Sequence, residues 1–155
     1  MAIKHRRTSS IRRILYPTDF SPASGPAFTK ALALARDNGA ELLVVTVLDT
    51  LPPLASEAYV SRQTYERIAA EGRTAAQRRL ERPIARARKA GVRARGRVLE
   101  GSTHEQIVRS AKRERVDLIV MGTQGRTGLA KLLIGSVASR VIATASCPVV
   151  TVRGR

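Results

Sequence analysis

DLIVMGTQGRTGLAKLLIGS, Asp117 to Ser136, is the stretch from which the rest of the chain is read. Leu118, Ile119, Val120 and Met121 form an unbroken apolar run, as expected of a strand buried on both faces of a parallel sheet. The run stops at Gly122, and Gly122, Gly125 and Gly128 stand at three-residue spacing. Glycine reaches positive φ and lets a ligand approach the backbone closely, so such a loop can turn its amides toward an anion. After Leu132, Leu133 and Ile134 come Gly135 and Ser136, then a helical pattern with Val137, Ala138, Val141 and Ile142 on one side. The start of that helix offers unpaired N–H groups and partial positive charge, to which Ser136 adds a hydroxyl. One stretch thus supplies two anion-binding elements, the architecture of a phosphate site. Arg126 and Lys131 fall inside the loop, either as phosphate contacts or as solvated charge.

Spacing excludes two familiar phosphate motifs. Neither G-x-x-x-x-G-K-[ST] nor G-x-G-x-x-G occurs, so the chain has no P-loop and no dinucleotide fingerprint. The pattern present is Gly122-x2-Gly125-x9-Gly135-Ser136.

Elsewhere strands and helices alternate. Ile14 to Asp19 reads as a first strand, and Ser21 as the cap of a helix with Pro22 at its first position. Ala27, Ala31, Leu34 and Ala35 mark the inner face of that helix, and Gly39 ends it. Leu42 to Leu48 is a second strand, nearly continuous in apolar character and therefore central. Strand, helix and strand in this order imply a right-handed crossover and parallel pairing. The loop after Asp49, with Pro52 and Pro53, is a candidate lid. Ser56 to Ala90 is helical in composition, with Ile68, Ala76, Leu80, Ile84 and Ala87 on one face. Gly72 and Pro83 interrupt the pattern, and a kink or break is expected at Pro83. Val92 to Leu99 alternates apolar residues with Arg93, Arg95 and Arg97, which places it at a sheet edge. Ser102 with Glu105 forms a capping-box pair that opens the next helix. Val149 to Val152 is a short last strand. Five strands alternating with four helices make an α/β domain with an open parallel sheet and helices on both faces.

Composition bounds the function. The chain has 155 residues, 43% of them hydrophobic, enough for one domain with a single substantial core. No apolar run approaches the roughly 20 residues needed to cross a bilayer, so no membrane role is expected. The basic start lacks the apolar core of a signal peptide, and one cysteine, Cys147, excludes a disulfide framework. Together these predict a cytoplasmic protein. His5 and His104 have no companions that suggest a metal site. The net charge is +16, of which +5 lies in residues 1–13 and +9 in residues 62–97. Such a field favours anionic partners, although arginine-rich composition also serves simply to solvate a surface.

Four landmarks in order carry a family resemblance: ILYPTDFS (Ile14 to Ser21), LLVVTVLD (Leu42 to Asp49), DLIVMGTQG (Asp117 to Gly125) and CPVVTV (Cys147 to Val152). With the Gly122/Gly125/Gly135/Ser136 spacing, the chain resembles the ATP-binding branch of the universal stress protein family from about Ile11 to Val152. The resemblance implies a basic tail over residues 1–10 and one Rossmann-like domain over 11–153. It also implies strand order 3-2-1-4-5, which reverses between strands 1 and 4 and so opens a crevice at their carboxyl ends. Pro17, Thr18 and Asp19 would line one wall, and Met121 and Gly122 the other. Asp19 matches a nucleotide-touching position. It would accept from ribose hydroxyls or help hold a cation through water, or else only cap the helix start with Ser21. Val47 matches the position whose backbone reads the adenine edge. Gly122, Gly125, Gly135 and Ser136 match the phosphate cradle, with Val137 beginning the helix and Arg126 beside it.

The implied cofactor is ATP, with Mg2+ or Mn2+ travelling with the phosphates, and the implied assembly is a homodimer through the last strand. No general base stands out beyond Asp19, so a nucleotide-dependent stress-response regulator with slow or no hydrolysis is expected rather than an efficient enzyme. The uncharged Val149 to Val152 leaves one sheet edge bare for a two-fold copy, and Val150→Pro would remove a donor from it. The alternative reading is a basic module that binds nucleic acid or another polyanion without sequence specificity. Aromatic residues are only 3% of the chain, too few for base-stacking platforms.

Overall fold

In the computed structural model, which describes residues 10–49, 61–123 and 134–154, β1 (Arg13–Pro17) is the middle strand of the sheet. β2 (Glu41–Leu48) pairs with it in parallel, Ile14 opposite Leu42 and Pro17 opposite Val45. β4 (Leu118–Gly122) lies on its other side, Ile14 opposite Leu118. β3 (Ala94–Glu100) and β5 (Val149–Val152) form the two edges, also parallel, which gives the order 3-2-1-4-5. α1 (Gly25–Asn38), α2 (Arg62–Lys89), α3 (Thr103–Arg113) and α4 (Ser136–Thr144) make the crossovers.

Successive strand residues face opposite sides, so the two cores divide by parity. Ile14, Tyr16, Leu42, Val44 and Val120 pack with Ala31 of α1 and Leu80 of α2. Leu15, Leu43, Val45, Ile119 and Met121 pack with Ile107 of α3 and Val141 of α4. The central strands are therefore covered on both faces, as their unbroken apolar runs require.

Three local expectations are corrected, and of the kink or break expected at Pro83 the break is excluded. α2 runs as one helix from Arg62 to Lys89 through both Gly72 and Pro83. Proline removes a single bond, to the carbonyl of Arg79, while the buried stripe Ala76, Leu80 and Ala87 holds the rest of the helix on the sheet. Ser21 does not cap α1. A single 3-10 turn, Pro22–Ser24, intervenes, and the Ser21 hydroxyl makes no cap bond. The Ser102/Glu105 capping box is not formed either: Ser102 precedes α3 without a side-chain cap, and its Oγ lies 3.2 Å from His104 Nδ1. β3 begins at Ala94 because Val92 still serves the end of α2, its N–H donating to the Ala87 carbonyl at 3.0 Å.

Two of the β3 arginines are not simply solvated. Arg95 reaches Glu41 at 2.9 Å and Glu114 at 2.8 Å, and Arg97 reaches Glu114 at 3.2 Å. Glu114 thus gathers charge from the sheet edge to the end of α3.

At the other edge, Pro148 and Val152 carbonyls accept from Ile119 and Thr123 amides. By the alternation of a strand, Val150 therefore turns its N–H toward β4, and the outward groups belong to Val149 and Thr151. The donor at Val150 is not an edge donor. Residues 1–9, with the basic tail, and the candidate lid at 50–60 lie outside the described residues, as do Gly125, Arg126, Gly128 and Lys131.

Candidate functional site

β2 outruns β1 at the carboxyl end of the sheet, and this unequal length makes the site. β1 stops at Pro17, opposite Val45, whereas β2 continues through Thr46, Val47 and Leu48. The Val45 carbonyl accepts from the Thr18 amide at 2.8 Å, and the Leu48 carbonyl accepts from the Gly101 amide on the β3 side. Odd-numbered residues of β2 therefore present their backbone groups toward β1 and even-numbered ones toward β3. Val47 turns its N–H and C=O to the side that β1 has vacated, and neither takes a backbone partner among the described residues.

The loop after β1 is held by its own side chains. Thr18 Oγ1 accepts from the Phe20 amide at 2.9 Å, and Asp19 Oδ1 accepts from the Ser21 amide at 2.9 Å. Thr18 Oγ1 also pairs with Ser24 Oγ at 3.2 Å. Within these bonds Phe20 takes φ 61°, a left-handed conformation rarely adopted by an aromatic residue and a form of strain typical of ligand sites. Asp19 thus does fix the loop, through Ser21, while its carboxylate also borders the cleft. Beneath it, burial pushes the Tyr16 phenol up, and its hydroxyl donates to the Ser24 carbonyl at 3.0 Å.

The opposite wall comes from β4 and α4. The Thr123 amide donates to the Val152 carbonyl and the Thr123 carbonyl accepts from the Gly135 amide at 2.6 Å, which brings the start of α4 back to the end of β4. The first helical bond is Ser139 to Gly135, and no side chain caps this end. The amides of Ser136, Val137 and Ala138 therefore have no acceptor within the helix.

These walls enclose a cleft of about 630 Å3, within the range of small-molecule sites. Pro17, Thr18, Asp19 and Val47 line one side, and Met121, Gly122, Gly135, Ser136 and Val137 the other. Nine of the eleven residues singled out from the sequence are brought together; Gly125 and Arg126 lie outside the described residues. Sequence reasoning missed the third wall, from α2: Gly72, Ala75 and Ala76 leave room, and Arg79 lines the cleft with its guanidinium carbon 4.3 Å from the Phe20 ring centroid. The signal was the spacing Gly72, Ala76, Arg79 beside the apolar stripe, hidden in a helix already crowded with arginine. Asp49, which accepts from Thr103 Oγ1 at 3.1 Å, also borders the cleft.

The arrangement offers a donor–acceptor backbone edge at one end, helix amides at the other, and carboxylates between. Among the described residues no group of three or more His, Cys, Asp or Glu could hold a metal ion. No helix among them is long and apolar enough to cross a membrane.

Comparison with known proteins agrees with this class of α/β fold, with its cleft at the point where the strand order reverses. The model of the universal stress protein family matches residues 10–153, and the chain belongs to that family. Universal stress protein MJ0531 of Methanocaldococcus jannaschii is 38% identical over 143 residues, covering 92% of this chain and 82% of that protein. The solved structure of MJ0577, from the same organism, superposes with a TM-score of 0.83 at 27% identity, covering 94% of this chain and 98% of that one. A universal stress protein solved in complex with cAMP shares the fold, with a TM-score of 0.67 at 24% identity over 95% of this chain and all of that one.

Proposed function

We propose that this chain binds ATP in the cleft and acts in the cytoplasm as a nucleotide-dependent regulator of stress response, with slow or no hydrolysis. The observation that carries the reading is the pairing of Val47 with the start of α4 in one cleft. The Val47 N–H and C=O match the donor and acceptor edge of adenine. The amides of Ser136 and Val137 suit phosphate oxygens, aided by the positive end of the helix dipole. Asp19 stands between them, where ribose hydroxyls would donate to it, and Gly122 lets the ligand approach the backbone of β4. Gly125 and Arg126, which the family resemblance assigns to the phosphate cradle, lie outside the described residues. The cAMP-bound relative lends support for an adenine nucleotide. Mg2+ or Mn2+ would travel with the phosphates, with Asp19 and Asp49 the nearest carboxylates. Little hydrolysis is expected because the sequence offers no evident general base beyond Asp19. Two copies pair through β5, so nucleotide occupancy would be read by a dimer.

Titration with ATP, ADP, cyclic AMP and GTP by calorimetry tests the reading. Adenine nucleotides should bind, and GTP should bind more weakly because it presents the opposite donor–acceptor order to Val47. No adenine nucleotide binding at millimolar concentration would end it.

A further inference from the structure

The arginines of α2 divide into two groups. Those on its inner flanks are used: Arg62 pairs with Glu66, Arg73 with Glu100, Arg88 donates to the Ala94 carbonyl, and Arg79 and Arg86 stand over Phe20 and Phe28. Arg67, Arg78, Arg82 and Lys89 are all exposed, and none makes an ion pair or hydrogen bond among the described residues. At 3.6 residues per turn these four lie within about 60° of one another, opposite the buried Ala76, Leu80 and Ala87. Arg93, also exposed, follows in the chain just past the helix.

We propose that this outer ridge of α2 is a docking surface for the sugar–phosphate backbone of duplex nucleic acid, separate from the nucleotide cleft. Arg67, Arg78 and Lys89 are three helical turns apart, so the ridge spans about 33 Å, close to one duplex turn of about 34–36 Å. Between Arg67 and Arg78 a shallow groove is lined by Ala70, Thr74 and Ala75 and by Glu71, whose single carboxylate is outnumbered by the two arginines at its ends. Glu71 is the one carboxylate in the ridge, so the field stays positive along its length. Three of the four helix cations are arginine, whose planar fork matches phosphate oxygens in pairs. A single strand fits less well, because the ridge has no aromatic side chain on which bases could stack. An anionic bilayer also fits less well, because Leu80, Ile84 and Ala87 of α2 are packed in the core and Ile68 is the one large apolar side chain of the helix left exposed among the described residues.

The test is fluorescence anisotropy with a 30-base-pair duplex of mixed sequence and a second of unrelated sequence, from 50 to 300 mM salt. Both duplexes should bind alike, with log K falling against log salt at a slope of about −4 for four to five neutralised phosphates. The triple variant Arg67→Gln/Arg78→Gln/Lys89→Gln should reduce the magnitude of that slope by about 2.7. A control that removes equal charge from exposed sites on α1 and α3, Lys30→Gln/Arg109→Gln/Lys112→Gln, should leave it unchanged. Both triple variants should keep the calorimetric response to ATP, so loss of the ridge and loss of the cleft are told apart. Equal losses in the two variants would overturn the proposal. So would no duplex binding at 50 mM salt, or tighter binding to a single strand or to phosphatidylserine vesicles.

Discussion

Arg79 holds its guanidinium carbon 4.3 Å from the centroid of the Phe20 ring, and this contact ties α2 to the loop that follows β1. Phe20 sits at positive φ, and the stacked cation is one of the interactions that hold it there. Two turns further along α2, Arg86 stands 4.9 Å over the ring of Phe28. Both phenylalanines of the chain are therefore covered by the same helix, but only the first stack borders the cleft.

That difference can be measured. Arg79→Gln and Arg86→Gln should each lower stability by about 0.5–1 kcal/mol, read as a melting shift of roughly 1–4 °C. Only Arg79→Gln should also weaken ATP binding, about fivefold for a loss near 1 kcal/mol. Equal effects of the two variants on ATP affinity would show that Arg79 acts on the fold alone.

Val47 allows a test on the backbone itself. Its N–H faces the cleft rather than β3, so Val47→Pro should leave the β2–β3 ladder intact. The variant should keep its circular dichroism spectrum while ATP and GTP become equally weak ligands. Leu48→Pro is the counterpart: its donor belongs to the β3 side, and its loss should lower the melting temperature. If Val47→Pro still prefers ATP over GTP, adenine is not read by that edge.

Glu114 sets an acid limit on stability. Arg95, closest of its cations, holds the Glu114 carboxyl below the usual carboxylate range against an opposing effect of burial. A carboxyl lowered in the folded chain contributes stability above its unfolded value, about pH 4, and loses it as pH falls through the lowered one. With Glu114 only 13% exposed, Glu114→Gln should cost about 1 kcal/mol at pH 7. The difference from the parent, followed by urea unfolding, should shrink as pH falls below about 4. A difference that stays constant across this range would remove the ion pairs from the account.

The edge of β5 is best probed at Thr151. Thr151→Pro removes an outward donor, whereas Val150→Pro removes one that faces β4. Sedimentation should show a dimer for the parent and a folded monomer for Thr151→Pro. Val150→Pro should instead lose stability. A parent that runs as a monomer at micromolar concentration would end the β5 dimer.

Much of this architecture was legible in the chain because it rests on local pattern. The continuous run Leu118 to Met121 could only be a strand buried on both faces, and Gly39 ends α1 at φ 63° as its place in the pattern required. The strand order was not legible from pattern and came from family resemblance. What pattern missed depends on lateral neighbours. Pro83 leaves a kink and a break both open in sequence, because the packing of Ala76, Leu80 and Ala87 that carries the helix past it is a lateral contact. Val150 was taken for an edge donor because alternation gives parity but not which parity faces the partner. Arg79 was passed over because nothing local separates it from Arg78, although one borders the cleft and the other lies on the outer ridge.

Asp117 Oδ2 accepts from the amides of Arg12 and Arg13, which lie 105 and 104 residues before it. During synthesis β1 can meet β2 as soon as α1 has formed, but its other flank stays open until β4 leaves the ribosome. Until then the β4 side of β1 is an unpaired central edge, blunted by Arg13 at its start and Pro17 at its end. The wall of amides at Ser136 and Val137 emerges later still. A truncated chain that ends before α4 would carry the Val47 edge without its counterpart, so the cleft has both walls only once α4 has been made.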